Sequence, residues 1–386
     1  MNSSTEKREE QRWRWVGLLL WCLPVLVITV LVGLEPKKRS VTHHYHTAVE
    51  HWAEQKALYE GPRGMNYLPT FVPVFMPYHS VPIRVGDNLW RWTAVAGLVF
   101  GLHWYSRKSA RPERTFALLS LLALPLCLAA MRNGQANAHM AAALLIASMC
   151  LLSGRWWLAT LFLCLTIAIK PIGIAAVGLA FAVYPRLWWR LGLGAAAILL
   201  LPFLAGSVDY VQSQYLESFR NLRECSAPTA RTFADINGIL RVFNSSLGAQ
   251  SSLVVRAAAG VLFAVFCFGW VRRLPGLERA LAWLAFAAGY LMLFNPMNES
   301  NSYIIFASAL ALWVWRFFTQ GQATLGWTLA VMAISMGLLP GLFRPWLGNN
   351  FAESWHPTMT VILLSIVATA AVRQTGSGQL MERAHL

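Results

Sequence analysis

Along this chain, uniform apolar stretches alternate with short polar interruptions, and the stretches are too long to be one face of a soluble helix. Twelve of them are predicted to be helical: residues 15–34, 89–105, 115–131, 136–152, 156–169, 171–184, 187–206, 252–270, 280–294, 303–318, 324–343 and 357–372. A straight helix needs about 20 residues to cross a hydrocarbon core of about 30 Å. The fifth and sixth stretches fall short of that, so the pattern predicts an all-α polytopic membrane protein with a bundle of about 10–12 transmembrane helices.

Composition agrees, with 56% of residues hydrophobic and 13% charged, against about 25% charged in soluble domains. The net charge of +15 does not point to nucleic acid, because the basic residues are scattered over short turns between apolar runs. Placing the N-terminus in the cytoplasm concentrates Lys and Arg on the short inner segments, as the positive-inside rule requires. This gives one membrane domain with cytoplasmic tails at 1–14 and 373–386 and two long outer loops at 35–88 and 207–251. Lys37, Lys38 and Arg39 run against the rule, but they open a long loop, where it weakens. The first run is read as an anchor, since Leu34, Glu35 and Pro36 do not form a small-residue cleavage site. Cys22, Cys127, Cys150, Cys164 and Cys267 fall inside apolar runs and Cys225 stands alone in a loop, so neither a disulfide nor a metal spacing emerges.

This topology brings the unusual polar residues to the outer side: "RNGQAN" at 132–137, "IKP" at 169–171 and "NPMNES" at 295–300. In the first loop, Tyr45, Ala48, Val49 and Trp52 fall at helical spacing and predict an amphipathic helix at the interface. The following "NYLPTFVPVFMPYHSVP" carries Pro69, Pro73, Pro77 and Pro82 and is expected to form irregular backbone roofing a cavity. Plain readings stand beside these. Asn133-Gly134 suits a tight turn, and both Arg132 and Lys170 are placed to snorkel toward the interface. His43, His44 and His46 lack a carboxylate at ligand spacing, so no metal is expected.

The segments "HHYHTAVEHWAEQKALY", "NYLPTFVPVFMP", "MRNGQANAHMAAALLIASMCLLSGRWWLATLFLCLTIAIKP" and "NPMNESNSYIIF", in this order and spacing, resemble glycosyltransferase family 87, of the GT-C class. The resemblance implies a bacterial plasma-membrane enzyme with interfacial helices around an outward-facing cavity. It would move a hexose, typically mannose, with inversion from a polyprenyl-phosphate carrier to a lipid or glycan acceptor. Arg132 and Lys170 would meet the charge developing on the departing phosphate, while Asn133, Gln135 and Asn137 would orient Arg132 or bind sugar and phosphate oxygens. No cofactor or metal is expected. His43, Tyr45, Tyr67, Asn295, Glu299 and Tyr303 are expected to line the cavity. The family pattern also calls for an aspartate four residues before Tyr45 as general base for the acceptor hydroxyl, and this chain has Val41 there. A displaced base must still reach the acceptor proton; Glu50 ranks first and His44 second, with Asp87 and Glu299 as further acids on that face. Two other readings remain open, a catalytically inactive homologue that holds carrier lipid and a transporter or flippase.

Overall fold

The computed structural model describes residues 3–60, 64–224 and 232–384; Cys225 lies outside the described residues. Fifteen α-helices follow in order: α1 (Ser3–Leu34), α2 (Thr42–Ala53), α3 (Phe71–His79), α4 (Ile83–Ser106), α5 (Pro112–Asn133), α6 (Asn137–Leu152), α7 (Trp156–Ile169), α8 (Gly173–Val183), α9 (Trp188–Leu200), α10 (Val208–Glu224), α11 (Ile236–Val242), α12 (Ala249–Gly269), α13 (Gly276–Phe294), α14 (Ile304–Thr319) and α15 (Ala323–Ala384). The last is broken at Gly348. Each of the twelve apolar runs is helical. Eight helical segments are long and apolar enough to cross a membrane, and this is a multi-pass membrane protein. The remaining four runs fall in α4, whose first half carries Arg84, Asp87 and Arg91, and in the short helices α6, α7 and α8.

Polarity cannot decide which helices sit at the centre of such a bundle, because lipid is as apolar as the core. Residue size decides instead, since small side chains let backbones approach closely. Helices α6 and α13 are rich in alanine and are buried almost throughout, from Asn137 to Leu151 and from Ala280 to Phe294. Helices α1, α9 and α12 instead display Leu19, Leu23, Leu193, Leu200, Val261 and Leu262 on the periphery, as lipid-facing helices do.

Successive helices run antiparallel, so the C-terminal ends of α5, α7 and α13 and the N-terminal ends of α6, α8 and α14 meet at one end of the bundle. Helix α6 has 16 residues and α7 has 14, which at 1.5 Å per residue reach only about 24 and 21 Å, less than the hydrocarbon thickness. The polar junctions after α5 and α7 therefore stand at the ends of two helices that are shorter than a full span. The short helices make the floor of a recess.

The loops close over this recess from the side. Helix α2 forms over the predicted stretch, burying Tyr45, Ala48, Val49 and Trp52. The proline-rich run differs from expectation. Residues 71–79 form α3 because Pro73 falls in the first turn, where no N–H has an intrahelical acceptor, leaving Pro77 alone to remove a bond. Phe71 and Phe75 pack edge-on to Tyr45 at 4.8 and 5.3 Å, and Phe75 to Trp90 at 5.1 Å. Only Asn66 and Tyr67 of that run reach the cavity. The second loop docks on the first through α10: Tyr210 donates to the Lys56 carbonyl at 2.7 Å, the Leu58 N–H to Gln214 Oε1 at 2.9 Å, and Asn221 Nδ2 to the Met65 carbonyl at 2.9 Å.

Candidate active site

A cavity of about 680 Å³ opens at this end of the bundle. It is built by residues from both loops and four helix ends. Among the expected residues, His44, Tyr45, Tyr67, Gln135, Asn137, Lys170, Asn295 and Glu299 line it. Val41 lines it too, at the position where an aspartate was expected.

Gly134 governs how "RNGQAN" is divided. It ends α5 with φ 65° and ψ 32°, left-handed backbone that glycine adopts without steric cost. An added methyl would stand 2.7 Å from Arg91 Nη2 and 2.8 Å from Thr42 Cγ2, so the position is closed to larger residues on two counts. Before this turn the chain serves the scaffold. The Asn133 carbonyl accepts from the Val41 N–H at 2.9 Å, tying the start of α2 to the end of α5. The buried Arg91 guanidinium donates to the carbonyls of Met131 at 3.1 Å, Asp87 at 2.7 Å and Arg132 at 3.3 Å, and to Ser40 Oγ at 2.8 Å. A cation at a helix C-terminus satisfies carbonyls that have no intrahelical donor and complements the dipole. Arg132 and Asn133 do not line the cavity, and Arg132 Nη1 is buried without a hydrogen-bond partner.

After the turn the chain faces the cavity. Gln135 Nε2 donates to Glu299 Oε2 at 3.0 Å, and Asn137 Nδ2 donates to Gln135 Oε1 at 3.0 Å and to Ser302 Oγ at 2.9 Å. These bonds link the α5–α6 junction to the α13–α14 junction. Asn298 reinforces the latter by accepting from Asn295 Nδ2 at 2.8 Å and donating to the Leu291 carbonyl at 2.8 Å. Glu299 is the one carboxylate among the described lining residues, and its field reaches Lys170, Tyr45 and Tyr67.

Lys170 stands at the elbow between α7 and α8 with extended backbone, φ −147° and ψ 134°, as the residue before proline prefers. The elbow is tight: a methyl on Gly173 would lie 2.5 Å from the Thr166 carbonyl carbon. Lys170 Nζ lies 5.7 Å from the centre of the Tyr67 ring. The Tyr67 hydroxyl is 3.1 Å from that of Tyr45, which accepts from the Ala136 N–H at 3.2 Å. Lysine, both tyrosines and the "QAN" backbone thus form one continuous wall. Burial raises both phenols above their ordinary pKa of 10, Tyr67 further than Tyr45, so both remain neutral hydrogen-bonding groups.

Other expected residues stand elsewhere. Glu50 is exposed and does not line the cavity. His43 lies outside the lining residues, its ring tilted against that of His44 at 3.9 Å, with Nδ1 buried and lacking a partner. Tyr303 is fully buried, donating to the Ala234 carbonyl at 2.9 Å and packing on His356 at 4.5 Å. His46 faces away from the cavity into a second buried cluster, with Nε2 3.0 Å from Asp87 Oδ1 and Nδ1 2.9 Å from His79 Nδ1. Desolvation, aided by His46 and opposed by Glu50, holds His79 below its ordinary pKa.

The structure also brings to the cavity a cation from inside an apolar run. Arg256, from α12, lines the cavity with Asn66, Asn221 and Tyr290, and the buried Asp235 acts on it electrostatically. A charged residue inside an apolar run is a usable signal; Asn66, in a loop, and Asn221, on the polar α10, carry none.

The family model for glycosyltransferase family 87 matches residues 66–296, more than half of the chain. The protein belongs to glycosyltransferase family 87. A search of curated proteins returned no match. The family 87 match includes Tyr67, Gln135, Asn137, Lys170, Arg256 and Asn295, while Val41, His44 and Glu299 lie outside its limits. The matched part of this membrane glycosyltransferase therefore carries the cations and amides of the cavity, and the residues that bear on the missing aspartate come from its flanks.

Proposed function

We propose that this family 87 protein transfers a hexose, mannose being the first candidate, from a polyprenyl-phosphate carrier to a lipid or glycan acceptor at the outer face of the bacterial plasma membrane. One observation carries the reading: two cations, Lys170 and Arg256, and one carboxylate, Glu299, line the same cavity at the ends of the apolar helices. A lipid-linked donor presents its phosphate at that level, with the polyprenyl chain in the bilayer. In an inverting displacement the acceptor oxygen bonds to the anomeric carbon as the carbon–oxygen bond to phosphate breaks. Polyprenyl phosphate departs with the electron pair, and the acceptor hydroxyl proton passes to a base. Lys170 and Arg256 stabilise the departing phosphate, the kind of preorganised charge that contributes most when water is excluded.

Glu299 is assigned as the base in place of the missing aspartate. Gln135 orients it, and no other carboxylate lines the cavity among the described residues. His44 lines the same cavity beside Val41 and is the alternative proton acceptor. The lipid-holding homologue also keeps support, because Val41 is apolar and faces the site.

The test is transfer from labelled polyprenyl-phosphate mannose by the full-length protein in lipid, with Lys170→Ala and Glu299→Gln alongside. Loss of an electrostatic donor is expected to lower turnover about 10²–10³-fold, and loss of the base about 10²–10⁴-fold with donor binding retained. Donor binding without turnover in the unaltered protein would leave the lipid-holding reading in its place.

A further inference from the structure

The opposite end of the bundle carries a second concavity, of about 460 Å³, between the α4–α5 turn and the ends of α13 and α14. Lys108, Arg111, Arg114 and Arg316 line it, and none of its lining residues is acidic. Arg316 is paired with Glu278. Arg111 makes a long ion pair with Glu9, at 3.9 Å, and Glu10 accepts from the Glu113 N–H beside it; Arg114 is offset 5.8 Å from the Trp13 ring centre, and neither Arg114 nor Lys108 has an ion-pair partner among the described residues. Converging cations repel one another, and the half-buried setting of Arg111 and Arg114 screens them less than open solvent would. Such a cluster persists at least cost when an anion occupies it. Arginine forks match phosphate oxygens in bidentate geometry, and a flexible lysine adds a point charge. Trp315, Leu277 and Tyr105 supply an apolar flank suited to the carbon part of such a molecule.

We infer that this basic concavity binds a phosphate-bearing anion, at a site separate from the sugar-transfer cavity and at the other end of the helices. Two sources share that chemistry, the headgroup of an anionic phospholipid and a soluble phosphate or diphosphate.

The test uses the full-length protein, stripped of lipid in nonionic detergent. Inorganic diphosphate is titrated calorimetrically, and phospholipid retained after exchange into vesicles of phosphatidylglycerol or phosphatidylcholine is counted by native mass spectrometry. The double variant Lys108→Gln/Arg114→Gln removes two cations without breaking an ion pair. Lys170→Ala separates the two ends, because diphosphate held in the other cavity is weakened in that variant and diphosphate held here is not. The expected result is binding that survives Lys170→Ala, weakens at least about tenfold in the double variant, and falls with added salt. Retention of phosphatidylglycerol that is lost in the double variant would identify a headgroup; diphosphate binding alone would identify a soluble anion. If the double variant does not fold, Lys108→Gln, at an exposed turn position, carries the same comparison with a smaller loss. Equal binding of both probes by the unaltered and substituted proteins, or binding of neither, would overturn the inference.

Discussion

Arg132 and Asn133 stand on one side of Gly134 and Gln135 and Asn137 on the other, and the two pairs do different work. The first pair joins, through backbone carbonyls, a closed cluster in which Arg91 and the Val41 N–H satisfy the end of α5, while the Arg132 side chain keeps a buried Nη1 without a partner. The second belongs to an open wall with Glu299, Lys170 and the two tyrosines. In a chain where lipid, core and helix surface are all apolar, polar residues gather for two separate reasons: to cap backbone that water cannot reach, and to meet a substrate. The contrast teaches that adjacency in sequence does not distinguish these reasons, whereas one left-handed residue does.

The largest effect expected from breaking this contrast is on the closed side. Arg91→Met leaves the carbonyls of Met131, Asp87 and Arg132 without their side-chain donor and frees the Gly134 turn from its support. The Met131 and Asp87 carbonyls keep backbone donors, the Gly134 N–H and the N–H of residue 91 within α4, so the loss falls mainly on the Arg132 carbonyl, and one buried acceptor left unsatisfied costs about 1–3 kcal/mol. The measurement is thermal unfolding in detergent beside the transfer assay: the midpoint and the activity should fall together. A normal midpoint with lost activity would place Arg91 on the substrate side and erase the division.

Gln135→Ala tests the open side and should do the reverse. Its amide orients Glu299 and is itself held by Asn137, at a partly exposed position, so the unfolding midpoint should stay within a degree or two. Turnover should fall about tenfold, the scale of one neutral or charge-assisted hydrogen bond. A lowered midpoint matching that of Arg91→Met would show that both sides serve the scaffold.

Much of this fold could be read from the sequence, because apolar runs in a membrane protein have one dominant physical solution, the helix. The exceptions have local causes. The run from Pro69 to Pro82 looked broken because four prolines were counted, yet proline costs little in a first turn, and α3 begins so that Pro73 falls there. Of the cavity, Gln135, Asn137, Lys170 and Glu299 were legible because they sit in the polar interruptions whose order and spacing resemble the family pattern; polarity alone also suits a turn or a snorkelling side chain. The parting of Arg132 from that group was not, since Arg132 and Gln135 differ only in which side of one αL residue they occupy. Arg256 was hidden inside a run taken as plain span, although its charge there was the signal. Arg91 and Asp87, spaced i, i+4 on α4, gave no clue that the backbone carbonyl of Asp87, not its carboxylate, takes the Arg91 donor while the carboxylate holds His46.

Glu50 supplies the smallest effect and the sharpest limit on where the open wall ends. Sequence proximity to Tyr45 recommended it as the base, but five residues along a helix turn the side chain by about 140°. With Tyr45 facing the cavity, Glu50 falls on the stripe of His46, four residues away, and its field acts on His79. Glu50 is exposed and is not among the residues that line the cavity. Glu50→Gln should therefore leave turnover within about twofold and stability within about 0.5 kcal/mol, as surface substitutions do, with the transfer assay and thermal unfolding as readouts. A loss of a hundredfold or more, about 2.7 kcal/mol of transition-state stabilisation, would require α2 to rotate toward the cavity during turnover. That rotation would break the bond between Val41 N–H and the Asn133 carbonyl, so the same result would also unseat Glu299 as the base and merge the closed and open sides into one moving unit.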